Sequence, residues 1–398
     1  MSNEYVYDFP FTQAEYQQRI EAVRESMISR GIDALIISDP ANMCYVTGYD
    51  AWSFYVPQAV MLLAREPEPF WIGRESDQSG ARITTMLPHD HILGYPEDYV
   101  QSTVKHPFDY IGQWLMKRIP LGSVIGTEMD TYYYSASCQY ALEHQCKGMH
   151  LCDATNLVNW VKIIKSETEL RYMKQAAQIV QQAMDVAVQT IRPGVRQNDA
   201  VAEIYRAQIR GTQDFGGDYT SIVPMIPTGK GSSAPHITWS DGLFRQGEGS
   251  IIEIAAACRH YHCPLARTVF LGTPPKRMEE LAEAMVAGVD EVLAQIKPGR
   301  TGEEIEEIWS GIIRRWGFEK RSRLGYSIGL NFPPDWGEHT ISIRPGDTHP
   351  LQPNMTFHIM PGIWLEEWGV EISEPIVITE TGAERLTDYQ RKLIVIPG

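Results

Sequence analysis

The stretch "IRPGVRQNDAVAEIY", beginning at Ile191, is echoed by "IKPGRTGEEIEEIW", beginning at Ile296. In each, one helical pattern ends at a Pro-Gly turn and acidic residues open a second helical pattern. The following positions agree as well: Asp199 answers to Glu303, Val201 to Ile305, Ile204 to Ile308 and Tyr205 to Trp309. A shared register downstream of a shared turn is what a duplicated supersecondary unit leaves in a sequence. A chain built this way is constrained to fold as two related α-β halves. Their strands are expected to pack into one central sheet with an internal pseudo-twofold repeat, in a domain spanning residues 161–398.

The segment before it reads differently. "TQAEYQQRIEAVRESMISRG" carries apolar residues at helical spacing and stops at Gly31. "DALIISD", "AVMLLAR" and "PFWIGR" follow as strands, which predicts an α/β domain over residues 1–160. At the boundary Ser166 and Glu169 form a capping box, opening a long amphipathic helix that runs out at Pro193-Gly194. The fold class is therefore α+β.

A length of 398 residues suits two cores better than one, and 43% hydrophobic with 21% charged content marks a globular chain. A net charge of -15, with no basic patch to offset it, argues against a nucleic-acid partner. The start, "MSNEYVYDFPFTQAEYQQRI", has no basic segment followed by an apolar run. No stretch approaches the roughly 20 apolar residues of a membrane span. A cytoplasmic location is expected. The six cysteines form no Cys-x-x-Cys pair and are expected to be reduced and mostly buried.

"GSIIEIAAACRHYHCPLARTVFLG", from Gly249 to Gly272, sets one carboxylate, Glu253, on a near-continuous apolar strand. A buried carboxylate is costly unless it has a partner or a chemical task. From the pattern alone, an ion pair with Arg267 and a catalytic role stand level.

Several further motifs belong with this one: "TGYDAWSFYV", "FGGDYTSIVP", "SSAPHITW", "NFPPDWGE" and "MTFHIMPGIWLEEWGVEI". Together and in order they make the chain resemble the pita-bread metallopeptidase superfamily of methionine aminopeptidase, proline dipeptidase and creatinase. Within it, the chain is most similar to the ectoine hydrolases. The resemblance covers both halves, from "GIDALIISDPANMCYVTGYD" to "ISEPIVITETGAERL". It implies a creatinase-like N-terminal domain, a pita-bread catalytic domain and a homodimer. The implied reaction opens the cyclic amidine ring of a small-molecule substrate, ectoine or hydroxyectoine.

The resemblance also implies that the family's metal shell is absent. The first family aspartate falls on Glu253 and the second on Pro264. The family histidine falls on Tyr326, and the last two glutamates fall on Met360 and Ser373. Hard divalent ions need oxygen-rich shells, often with an imidazole, and this set does not supply one. No metal and no other cofactor is expected. A rewired site using Glu374 with His260 or His262 is the competing arrangement, since His-x-His on a strand puts both rings on one face.

Without metal, a protonated amidine needs a nearby anion, a nucleophile and a proton donor for the leaving nitrogen. Glu253 is assigned as nucleophile, with action as a base toward water as the alternative. His236, in "SAPHITW", matches the histidine that creatinase uses without metal and is assigned as general acid/base. Tyr49, Trp52, Phe54, Trp239 and Trp336 are the aromatic candidates for holding the cation. Asp218, Glu338 and Glu366, with Glu371 as the alternative to Glu366, are candidates for the ring N–H groups. Tyr326, Met360 and His262 complete the expected pocket. Three other readings stay open: another creatinase-like amidine or amide hydrolase, an aberrant Xaa-Pro metallopeptidase, and a non-catalytic binding module.

Overall fold

Helix α1 (Gln13–Ser29) begins at Thr12, whose hydroxyl accepts from the Glu15 N–H at 3.2 Å, and ends before Gly31 at φ 69°. These features come from a computed structural model that describes residues 7–397. The chain continues through β1 (Ala34–Ile37), α2 (Pro40–Thr47), β2 (Ala59–Leu63), β3 (Phe70–Arg74) and α3 (Gln78–Thr84). It goes on to β4 (Ile92–Tyr95), α4 (Pro107–Leu115), β5 (Val124–Thr127), α5 (Ala136–Gln145), β6 (His150–Asp153) and α6 (Leu157–Lys162). Six strands form one mixed sheet in the order β4-β3-β2-β1-β5-β6. Its central strands β1 and β2 are buried along their whole length, as a sheet covered on both faces requires.

A second compact unit starts at Ile163. Ser166 and Glu169 make the expected reciprocal cap and open α7 (Glu167–Thr190). Next come α8 (Gln197–Arg210), β7 (Gly249–Cys258), β8 (Tyr261–Leu271), α9 (Lys276–Gln295) and α10 (Gly302–Arg315). The remaining strands are β9 (Gly325–Ile328), β10 (Gly337–Ile343), β11 (Thr356–Ile359), β12 (Gly362–Trp364) and β13 (Gly369–Glu371). They are followed by β14 (Glu374–Ile378), β15 (Ala383–Arg385) and β16 (Ile394–Ile396).

The duplication is visible in backbone detail. Gly194 and Gly299 both take left-handed φ, 86° and 88°, where a side chain would be strained. Gly194 N–H donates to Phe244 O at 2.9 Å, and Phe244 N–H returns a bond to Val195 O at 2.9 Å. The second half repeats this, with Gly299 N–H to Leu351 O at 2.8 Å and Leu351 N–H to Arg300 O at 2.7 Å. The side-chain register holds for one turn only. Val201 and Ile305 are both buried, but Ile204 and Trp309 are the buried residues of the next turn, while Ile308 and Tyr205 are half-buried. The two second helices are thus rotated by about one residue relative to each other.

The single central sheet does not form. Hydrogen bonding divides the strands into β16-β8-β7, β10-β9-β11-β14-β15 and the hairpin β12-β13. The links toward β8 are isolated: His262 N–H to Gly329 O at 2.9 Å, and Ser373 N–H to Ala266 O at 3.1 Å. Pro264 lies between His262 and Ala266 and has no N–H to donate on that side, which interrupts the ladder.

Candidate active site

Strands β7 and β8 pair antiparallel with Glu253 opposite Ala266, Ala255 opposite Pro264 and Ala257 opposite His262. The period of two sorts their side chains onto two faces. Ile252, Ile254 and Ala256 of β7, with Cys263, Leu265 and Val269 of β8, pack into the core cluster that also holds α7 and α8 residues. Glu253 and Thr268 point to the opposite face. There the Thr268 hydroxyl donates to Glu371 O at 3.0 Å and accepts from Glu371 N–H at 2.8 Å, which pins β13 over the hairpin.

Two carboxylates are therefore buried on this face, Glu253 at 7% exposure and Glu371 at 1%. Burial raises the Glu253 carboxyl well above its ordinary value, and the charge of Glu371 raises it further against the pull of Lys320. Burial likewise moves Glu371 up to about 7, with Lys320 opposing. Lys320 itself is brought down to about 8 by burial, although both carboxylates favour its charged form. Its Nζ donates to Ser322 Oγ at 2.7 Å and Gly362 O at 3.0 Å and lies 5.2 Å from the Trp364 ring centroid.

A hydrogen-bonded chain crosses the neighbouring sheet. Trp336 Nε1–H donates to Tyr326 Oη at 2.7 Å, and Tyr326 Oη lies 3.1 Å from His358 Nδ1. His358 Nε2 is 2.7 Å from Ser373 Oγ, which also accepts from Ala266 N–H at 2.7 Å. Register sets the chain up, because β9 and β11 place Tyr326 directly opposite His358. Burial, and then the charges of Arg267 and Arg323, bring His358 down to about 3, so its ring is neutral.

Sequence profiles match this architecture along nearly its whole length. The creatinase/prolidase N-terminal domain matches residues 19–164, and metallopeptidase family M24 matches residues 171–380. The chain belongs to metallopeptidase family M24. It is 46% identical over 393 residues to the ectoine hydrolase of Halomonas elongata, covering 97% of this chain and 98% of that protein. An uncharacterized hydrolase/peptidase of Sinorhizobium fredii is 41% identical over 97% of this chain and 98% of its own length. The prolidase of Thermococcus sibiricus superposes with a TM-score of 0.83 at 19% identity, over 96% of this chain and 99% of that one. The chain is thus a hydrolase with an M24 pita-bread domain behind a creatinase-type N-terminal domain.

M24 enzymes are metallopeptidases by name, and a hard divalent ion requires an oxygen-rich donor set, often with an imidazole. Among the described residues no group of three or more His, Cys, Asp or Glu side chains is placed to hold an ion. The competing arrangement has no free ligands either. Glu374 is held by Arg385 at 3.0 Å and Arg391 at 2.9 Å. The Nε2 lone pair of His262 accepts from Ser221 N–H at 2.9 Å, leaving Nδ1–H to donate to His260 O at 2.8 Å. His260 sits in the β7–β8 turn, where Arg259 and His260 both have positive φ (52° and 61°), so the two histidines do not share a strand face. The residues present do not fit the metal of the family.

The other M24 site candidates separate into groups. Trp336 and Tyr326 join the hydrogen-bonded chain described above. Glu338 is ion-paired: its Oε2 lies 2.6 Å from Lys165 Nζ, with both side chains essentially unexposed. Asp218 secures the hairpin turn, accepting from His260 N–H at 3.0 Å. His262, fully buried and neutral with burial first among the causes that bring it down to about 3, is an internal brace. Arg267 neither pairs with Glu253 nor is available to an anion, because backbone carbonyls of Ala266, Ser373, Tyr389 and Gln390 accept its N–H groups. Trp239 packs against the helix-side core, edge-on to Tyr205 at 6.3 Å.

Of the remaining candidates, Met360 is half-buried at the end of β11, with its N–H on Leu324 O at 2.6 Å. Glu366 is exposed in the β12–β13 turn, so Glu371 is the carboxylate of that segment that meets Glu253. His236 is exposed on the loop after the turn Gly229–Ser233, at φ 62°. In the N-terminal unit, Tyr49 is buried, with its hydroxyl 2.7 Å from Ser53 Oγ and donating to Gln58 Oε1 at 3.0 Å. Those bonds tie the ring to its own loop. Trp52, 59% exposed, pairs with half-buried Phe54 at 4.7 Å.

The sequence reading does not anticipate Lys320 or His358. Lys320 lies in "FEKRSRLGY", a charge-rich run that reads as a solvated loop. Glu371 carried the same signal as Glu253, a lone acid between apolar strand residues in "GVEI".

Proposed function

We propose that this chain is a metal-independent hydrolase that opens the cyclic amidine ring of ectoine, or of its hydroxylated analogue, to N-acetyl-diaminobutyrate. The observation that carries this reading is the buried Glu253–Glu371 pair with Lys320 beside it, in a chain 46% identical to an ectoine hydrolase. Two buried carboxylates make a cleft in which an amidinium ion supplies the missing positive charge. Its arrival favours the ionised form of Glu253, which burial alone opposes.

A carboxylate oxygen of Glu253 then attacks the carbon between the ring nitrogens, forming a C–O bond and a neutral tetrahedral centre. One ring C–N bond breaks as its nitrogen takes up a proton, leaving an imidate ester on Glu253. Water adds to that carbon, the C–O bond to Glu253 breaks, and the carboxylate leaves. Amidinium plus water becomes amide plus ammonium, so charge and atoms balance. His236 is assigned as the proton carrier, and its exposure lets it exchange protons with solvent. The Nζ of Lys320 has a third N–H, assigned to the substrate carboxylate. In a cytoplasmic homodimer, the loop bearing Trp52 and Phe54 is read as reaching the partner's cleft to cover the cation, each ring contributing about 0.5–2 kcal/mol.

Rapid quenching of the reaction, followed by digestion and mass spectrometry, tests the covalent step. The expected result is the mass of one ectoine molecule added to the peptide containing Glu253. Turnover with no adduct, together with full activity of Glu253→Gln, would discard the nucleophile assignment.

A further inference from the structure

The hydrogen-bonded chain from Trp336 to Ser373 fixes which way its protons point. Ser373 Oγ accepts from Ala266 N–H at 2.7 Å and lies 2.7 Å from His358 Nε2. If the histidine proton were on Nε2, the serine oxygen would accept twice, and its own O–H would need a further acceptor. Ser373 and His358 are both at 0% exposure, so bulk solvent does not supply one. An unsatisfied buried donor is costly. If instead Ser373 O–H donates to Nε2, every polar atom at this end is satisfied and the imidazole proton is on Nδ1. Because His358 is neutral, that proton is its only one.

The consequence falls on Tyr326. Its oxygen then receives two N–H groups, Nε1–H of Trp336 at 2.7 Å and Nδ1–H of His358 at 3.1 Å. A phenol oxygen so occupied has little capacity left to accept, and its O–H is free to donate elsewhere. Tyr326 retains 7% exposure, whereas Trp336, His358 and Ser373 have none, so the spare donor belongs to the one member of the chain that reaches the surface. Among charged groups, Glu253 acts most strongly on this hydroxyl.

We propose that Tyr326 is a catalytic hydrogen-bond donor to the departing ring nitrogen, held in the donor state by Trp336 and by the Nδ1–H tautomer of His358. This rests on the reading of the cleft as an amidine-opening site and adds a specific role within it. In a planar amidinium ion the ring nitrogens carry N–H donors and no available lone pair. Tyr326, already saturated as an acceptor, gains no hydrogen bond from that ground state. Once Glu253 has added to the carbon, the nitrogen becomes an amine with a lone pair, and the Tyr326 O–H meets it. The interaction exists after attack and not before, so it raises kcat without tightening substrate binding. His358 and Ser373 act through Tyr326 and are positioning residues.

The test has two readings on the full-length chain. Long-range proton–nitrogen NMR spectra of histidine-labelled protein, without substrate, are expected to show the His358 proton on Nδ1; a proton on Nε2 overturns the assignment. Tyr326→Phe, which keeps the ring, is expected to lower kcat for ectoine opening on the order of 10²-fold, with KM nearly unchanged. Unchanged kcat, or a loss confined to KM, overturns the catalytic role. His358→Asn, which keeps an N–H near the Nδ1 position, is expected to retain more kcat than His358→Leu at equal folded fraction; equal losses would reduce His358 to a packing residue. If wild-type protein left ectoine intact but carried the Nδ1 proton, the substrate would be wrong while the donor geometry stood.

Discussion

Lys165 Nζ lies 2.6 Å from Glu338 Oε2, and neither side chain is more than 1% exposed. Lys165 Nζ also donates to Ile163 O at 3.0 Å, so the pair ties the start of the catalytic unit to strand β10. Removing one partner leaves an uncompensated buried charge. Glu338→Leu or Lys165→Met alone is expected to cost about 3–5 kcal/mol in urea unfolding, and the double replacement less than either single one. Additive losses would mean that the two charges do not depend on each other.

His262 braces the hairpin, with both ring nitrogens engaged. Replacing it with leucine orphans the buried Ser221 N–H that now bonds Nε2. A loss of about 1–3 kcal/mol in unfolding free energy is expected, with kcat for the folded fraction close to wild type. A kcat collapse in fully folded His262→Leu protein would return His262 to the chemistry.

The Glu371 carboxyl, raised from its ordinary 4.5 to about 7 chiefly by burial, binds its proton more tightly folded than unfolded. Its contribution to stability is complete below about pH 4.5 and is lost as pH rises through about 7. Wild-type unfolding free energy is expected to carry a downward trend across that window, weaker by about 1–3 kcal/mol in Glu371→Gln. Identical pH profiles for the two proteins would show that Glu371 titrates normally.

The repeat, the capping box and the lone acid of β7 were legible because each is a local pattern: a Pro-Gly turn, a Ser–Glu spacing, an alternation. The split sheet was not, although Pro264 was in view, because the side on which a strand lacks an N–H depends on register. Glu338 and Asp218 look like ligand-holding acids in sequence; the structure engages them with Lys165 and the His260 N–H, contacts 173 and 42 residues apart along the chain. His358 and Lys320 gave no local sign, since their roles come from facing Tyr326 and Glu371 across other strands.

His236 is exposed, so its replacement should leave folding intact. His236→Ala is expected to keep the wild-type unfolding midpoint while kcat falls about 10²- to 10⁴-fold, the usual range for a positioned acid/base. Near-normal turnover would assign proton transfer to another group.

The most direct test is to follow ectoine by NMR in the presence of metal-stripped wild-type protein. Conversion to N-acetyl-diaminobutyrate at an undiminished rate, unaffected by chelator, is the predicted result. An intact ring, restored to turnover by adding iron, zinc or manganese, would contradict the account.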